Sequence, residues 1–153
     1  MPSRRDMIKM NEEEISAFIE GGKSLQTATI NKDGSPHLVA MWYGLIDGKV
    51  VIETFEKSQK AVNLKRDPRI ACLLEAGTEY NELRGVQING IATLVTDPDE
   101  IRVLMKAVLS RNHEMDEKTL ELAVEHGSKK RLGVIIEPTK IVSWDHRKLD
   151  VAY

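Results

Sequence analysis

Thr54, Lys57, Ser58 and Lys60 fall within seven residues, where an alternating apolar segment gives way to a helical pattern. Two hydroxyls and two ammonium groups at such a junction are the donor set of an anion site. A helix starting at Ser58 leaves the N–H groups of Gln59 to Ala61 unpaired and aimed at the space beyond the strand end. Lysines there oppose the partial positive charge of the helix start, at a cost of roughly 0.3–1 kcal/mol. A bound phosphate dianion reverses the local field and accounts for both cations. The plainer reading pairs Lys57 and Lys60 with Glu53 and Glu56 across a solvated surface, where each pair contributes little.

Beside this junction lies the apolar run that holds Met41, Trp42 and Tyr43, against which a flat ring can rest. Ordinary core packing explains the same residues. Trp144 sits in the polar setting Val-Ser-Trp-Asp-His-Arg-Lys and either lines a site or caps a dimer interface. Arg84, before Gly85, can meet a carboxylate tail or pair with Glu79 or Glu82. His37, His113, His126, His146 and Cys72 show no metal-ligand spacing, so no metal site is expected. The sequence has no Gly-x-Ser-x-Gly elbow, no Gly-x-Gly-x-x-Gly and no Gly-Lys-Ser/Thr phosphate loop. No catalytic acid, base or nucleophile emerges from spacing.

The elements that must position these residues are legible from period and turn signals. Asn11 with Glu14 forms a capping pair ahead of Ile15, Phe18 and Ile19 on one helical face. Leu25 to Ile30, His37 to Ile46 and Val50 to Phe55 read as three strands joined at Asp33-Gly34 and Asp47-Gly48, an antiparallel meander. Both faces of the middle run are apolar, with Leu38, Ala40 and Trp42 on one and Val39, Met41 and Tyr43 on the other, so it must be covered twice. A helix from about Ser58 to Lys65 stops at Asp67-Pro68, and strands follow at Ile70 to Glu75 and Gly85 to Thr96. Asp97-Pro98 opens a helix whose inward stripe is Ile101, Leu104, Met105 and Val108. A further helix covers about Asp116 to Lys130, and strand segments Leu132 to Ile136 and Ile141 to Trp144 close the chain. Six strands with short helices at the ends predict a mainly β fold, a small antiparallel barrel with peripheral helices.

At 153 residues the chain is expected to form one domain spanning 1–153. With 22 Lys+Arg against 24 Asp+Glu it offers no global basic field, so neither nucleic acid nor an anionic membrane is an expected partner. No apolar run approaches the roughly 18 residues of a membrane span. The start has no signal-peptide core, and the lone Cys72, in Ile-Ala-Cys-Leu-Leu, forms no internal disulfide. A cytoplasmic protein is expected.

The order Gln26 to Pro36, His37 to Tyr43, Ile52 to Lys60 and Asn63-Leu-Lys-Arg-Asp-Pro-Arg-Ile70 resembles the split β-barrel superfamily typified by pyridoxamine 5'-phosphate oxidase, over most of the chain. Together with Ser143-Trp-Asp-His-Arg147, it is most similar to the flavin/deazaflavin oxidoreductases of the B type, many of which use F420. The resemblance implies a split barrel of six to seven antiparallel strands with a Greek-key-like order. It also implies a homodimer with cofactor sites at the subunit interface. The cofactor ring would lie along His37 to Tyr43, against Val39, Met41 and Trp42, with Trp144 as a further lining residue. The phosphate would be held by Thr54, Lys57, Ser58 and Lys60, with Asn63 assisting. The activity implied is hydride transfer between reduced F420 and a conjugated small-molecule acceptor, with Tyr43, His37 or Arg147 as possible proton donors. Pyridoxamine phosphate oxidases tend to carry Arg where Val39 stands and a basic residue where Gln59 stands, so a reductase is the preferred reading. The alternatives are an FMN-dependent oxidase or reductase and a non-catalytic dimer that carries flavin, deazaflavin or haem.

Overall fold

In the computed structural model, which describes residues 1–149, the chain runs α1 (Arg4–Met7), α2 (Glu12–Gly21), β1 (Leu25–Ile30), β2 (Pro36–Met41), β3 (Gly44–Ile46), β4 (Lys49–Phe55), α3 (Gln59–Arg66), β5 (Arg69–Ala76), β6 (Arg84–Val95), α4 (Pro98–Asn112), α5 (Glu117–Gly127) and β7 (Arg131–Asp145). The seven strands form one antiparallel sheet in the order β2-β1-β5-β6-β7-β4-β3. The fold is mainly β, a curled barrel-like sheet with helices around it.

Both Asp-Gly turns form hairpins, with Gly34 and Gly48 at φ 85° and 76°, a region open to glycine at little steric cost. The three-strand meander, however, is not formed. The run His37 to Ile46 breaks at Trp42-Tyr43, and its two halves occupy opposite edges of the sheet: β2 pairs with β1, and β3 with β4. Tyr43 causes the break. Its side chain turns fully into the core, its hydroxyl donates to the Ile19 carbonyl, and the Arg111 guanidinium lies 4.1 Å from its ring centroid. At Gly44 the backbone of α4 comes so close that a Cβ would meet Ala107 C at 2.7 Å. Met41 and Gly44 are three residues apart, so their Cα atoms lie within about 11 Å. The two sheet edges are therefore tethered to each other, and the sheet curls.

The curled sheet encloses the main core, which includes Leu25, Tyr43, Ile52, Leu64, Leu74, Val86, Ile88 and Val134. Outside it, α4 covers Val51 and Val95 with Ile101 and Leu104. All four residues of its predicted stripe are buried, and Asp97 caps it by accepting from the Asp99 and Glu100 N–H groups. Met105 joins Leu120 and Val124 of α5 in a third cluster.

The final strand is continuous where two segments are expected. It passes through Pro138 at a register shift opposite Asn89 and Gly90, where a residue lacking an N–H costs no ladder bond. The short α1 is unanticipated, although Ser3 and Asp6 form a reciprocal capping box of the kind that is readable in sequence.

Candidate functional site

The junction of β4 and α3 forms as its sequence dictates. Ser58 caps α3, its Oγ accepting from Ala61 N at 3.3 Å and lying 3.0 Å from Thr54 Oγ1. Capping fixes the rotation of the helix, so Ala61 and Leu64 are buried against the sheet while Lys60 turns toward β4.

There Lys60 joins a cleft of about 540 Å³. Met41 and Trp42 at the end of β2 form one wall, and Glu53, Thr54 and Phe55 of β4 another. Met105, Val108 and Leu109 of α4 and Arg131 of β7 complete it. Trp42 is half-exposed at the mouth, its ring edge-on to His113 with centroids 4.7 Å apart.

Of the residues singled out in the sequence, Met41, Trp42, Thr54 and Lys60 meet around this cleft, with Ser58 behind Thr54. The remaining four stand elsewhere. Lys57 is exposed in the turn before α3, and Val39 is half-buried on β2. Asn63 is fully buried and spends both amide hydrogens on Thr29 Oγ1 and Asn31 Oδ1, at 3.1 and 2.9 Å. Its carbonyl oxygen accepts from Gln59 Nε2 at 2.9 Å. Asn63 thus ties α3 to β1 and keeps no donor for a ligand. Trp144 lies at the far end of β7 from Arg131, across Gly85 of β6. Tyr43 is enclosed in the core, His37 is half-buried with Nδ1 unpartnered, and Arg147 is bidentate to Asp145.

Glu53 and Arg131 are the charged site residues that sequence reasoning did not place in the site, and Phe55, Met105, Val108 and Leu109 are apolar lining that it did not place there either. Register brings the charged pair in: Arg131 is opposite Phe55 on the neighbouring strand, and its guanidinium lies 3.7 Å from the Phe55 ring centroid. Its Nε donates to the Gly127 carbonyl at 3.0 Å, and Nη1 is 3.0 Å from Glu53 Oε2. Only the pairing of β4 with β7, a contact between strands distant in sequence, could have revealed this.

The electrostatics follow from enclosure. The side chains of Glu53 and Arg131 are 13% and 21% exposed. Burial pushes the Glu53 carboxyl above its ordinary range, against the opposing pull of Arg131 and Lys60. Burial likewise holds the Lys60 ammonium below its ordinary range; Glu53 opposes this and Arg131 adds to it. Two cations face one carboxylate, so the cleft retains one positive charge when all three are ionised. Such a cleft, with hydroxyls at one side and an aromatic at its mouth, suits an anionic group joined to a flat ring.

Among the described residues, no group of three or more His, Cys, Asp or Glu is placed to hold a metal ion. No helix among them is long and apolar enough to cross a membrane.

The curled antiparallel sheet with helices at its rim, and a cleft where the fourth strand meets its helix, define a split-barrel protein. The pyridoxamine 5'-phosphate oxidase family profile matches residues 11–145, and the chain belongs to that family. A conserved hypothetical protein of Mycobacterium tuberculosis, Rv2991, is 43% identical, with 99% of this chain and 95% of that one covered and a TM-score of 0.90. A structure described as an F420 reductase has 20% identity and a TM-score of 0.66, over 82% of this chain and 94% of that one. HutZ, the haem storage protein of Vibrio cholerae, has 18% identity and a TM-score of 0.65, over 86% and 94%. The last two likenesses are of fold. No curated protein matches the sequence significantly.

Proposed function

We propose that the cleft at the β4–α3 junction holds the phosphate of an F420-type deazaflavin, and that the protein is an oxidoreductase moving a hydride between that cofactor and a conjugated small-molecule acceptor. The observation that carries this reading is the convergence of Lys60 and Arg131 on a half-enclosed cleft, beside Thr54 and Ser58 and open to Trp42. Its volume lies in the range of roughly 300–1,000 Å³ common to small-molecule sites. The fold shared with a protein described as an F420 reductase supports the same choice.

When bound, the deazaflavin supplies the hydride chemistry. The chain's own residues bind, orient and dehydrate. Lys60 and Arg131 neutralise the phosphate, Trp42 and Met41 offer a wall to the ring, and Met105, Val108 and Leu109 keep one side of the cleft dry. FMN is the alternative cofactor, because a phosphate cradle does not tell the two rings apart. A cytoplasmic homodimer whose second copy completes the ring site is part of the proposal.

Titration of the purified protein with F420 and with FMN, followed by absorbance, tests it. F420 is expected to bind, and Lys60→Ala to weaken it roughly ten- to hundredfold, since a charge-assisted phosphate contact contributes about 1.5–3 kcal/mol. Lys57→Ala, which removes an exposed side chain outside the cleft, is expected to change affinity by no more than about twofold. Unaltered F420 affinity in Lys60→Ala would place the phosphate elsewhere. Tight haem or flavin binding with no turnover of any conjugated acceptor would favour a carrier.

A further inference from the structure

We infer that an anion entering the cleft is bound together with a proton, taken up by Glu53, so that this side chain sets which charge the cleft accepts. The inference rests on the anion-binding reading above and deepens it.

The geometry leaves Glu53 few options. Its side chain is only 13% exposed, and although Oε2 is 3.0 Å from Arg131 Nη1, that oxygen has no aligned hydrogen-bond partner. Arg131 cannot swing away freely, because it is held on the Phe55 ring and on the Gly127 carbonyl. The charged side chains lining the cleft are Glu53 from β4, Lys60 from α3 and Arg131 from β7. The α4 wall is apolar, and β2 contributes Trp42, with His113 against its outer edge.

An anion that reaches both Lys60 and Arg131 must therefore sit beside the Glu53 carboxylate. At a spacing of a few ångströms in a half-buried site, the repulsion of like charges works against the ionised carboxylate and favours its protonated form. Burial already favours its neutral form. Protonation turns Glu53 from a competitor for Arg131 into an O–H donor, and both cations are then free for the ligand. The proton comes from solvent, and its site of attachment is a Glu53 carboxyl oxygen.

Inorganic sulfate is the probe, since it stays dianionic around neutral pH and has no titration of its own there. Calorimetry of sulfate binding in two buffers of unlike ionisation enthalpy counts the protons. The wild-type protein is expected to take up a large fraction of one proton per sulfate. Glu53→Gln is expected to take up none, to bind sulfate roughly tenfold more tightly at neutral pH, and to lose the pH dependence of affinity. Uptake that persists in Glu53→Gln would assign the proton to Lys60 or His113 and overturn the inference. So would wild-type binding that is abolished by Lys60→Ala yet independent of buffer, an outcome that leaves the anion site standing. If sulfate fails to bind wild type and variant alike, the anion site falls and the inference with it. The wild-type count does not depend on whether any variant folds.

Discussion

Lys57 and Lys60 are the same residue type three positions apart, and only one of them faces the cleft. Lys57 precedes α3 and projects into solvent, whereas Lys60, two residues inside the Ser58 cap, is half-buried beside Glu53. Cys72 shows the same dependence on surroundings. Its side chain lies in the main core, 1% exposed, and burial pushes the thiol up to about 12, with Thr27 opposing weakly through a hydrogen bond. The folded protein should therefore resist a thiolate-directed reagent at neutral pH, with modification tracking unfolding in denaturant. The folded pKa is raised, so the linked stability is present below the unfolded value of about 9 and is lost as pH rises from there through about 12. Denaturation midpoints measured across that alkaline window should fall more steeply for wild type than for Cys72→Ala. Parallel curves would mean that Cys72 ionises as easily in the folded chain as in the unfolded one.

At the scale of elements, α3 is a helix of eight residues, too short to stand alone, and it is held by what it touches. Asn63 is its anchor, with both amide hydrogens bonded to β1 and the loop after it. Asn63→Ala leaves Thr29 Oγ1 and Asn31 Oδ1 without that donor. It should cost about 2–3 kcal/mol in chemical denaturation and speed hydrogen exchange in α3 more than in β6. A loss below about 0.5 kcal/mol would mean that packing of Ala61 and Leu64 alone holds the helix. The amide's type and position are readable in the sequence, but its partners are more than thirty residues away, which is why Asn63 reads there as a phosphate ligand. The same divide runs through the sheet. Asp33-Gly34 and Asp47-Gly48 announce their hairpins because a turn is decided locally. The jump from β2 to β3 is decided by Tyr43 entering the core and by α4 crossing Gly44, contacts that an unbroken apolar run conceals. Half of the candidate site was legible for this reason: Thr54, Ser58 and Lys60 are neighbours in sequence, while Arg131 arrives through the pairing of β4 with β7.

For the molecule as a whole, the outer face of the curled sheet bears on the homodimer proposed above. Register aligns Leu38, Ala28, Ala71 and Asn89 across β2, β1, β5 and β6. Leu38 is 68% exposed. Ile91, also exposed, follows Asn89 on the same face, and a groove of about 380 Å³ with apolar walls runs between Ala28, Ala71 and Ile91. Strand alternation puts Ala40 on the side of β2 that carries Leu38, and Ala40 lines the cleft beside Trp42, so this apolar face is continuous with the mouth of the cleft. A second copy seated here would cover Leu38 and Trp42 together, satisfying the expectation that both sides of this run are covered. Leu38→Asp places a charge at the centre of the proposed contact without touching the core. Sedimentation should then show monomers in place of dimers, with an unchanged far-ultraviolet spectrum, because Leu38 makes no core contact that the monomer needs. Cofactor affinity should fall as well, by more than tenfold if the partner supplies part of the ring site. A Leu38→Asp protein that stays dimeric would move the interface off this face. One that is monomeric yet binds the cofactor normally would place the whole ring site within a single chain.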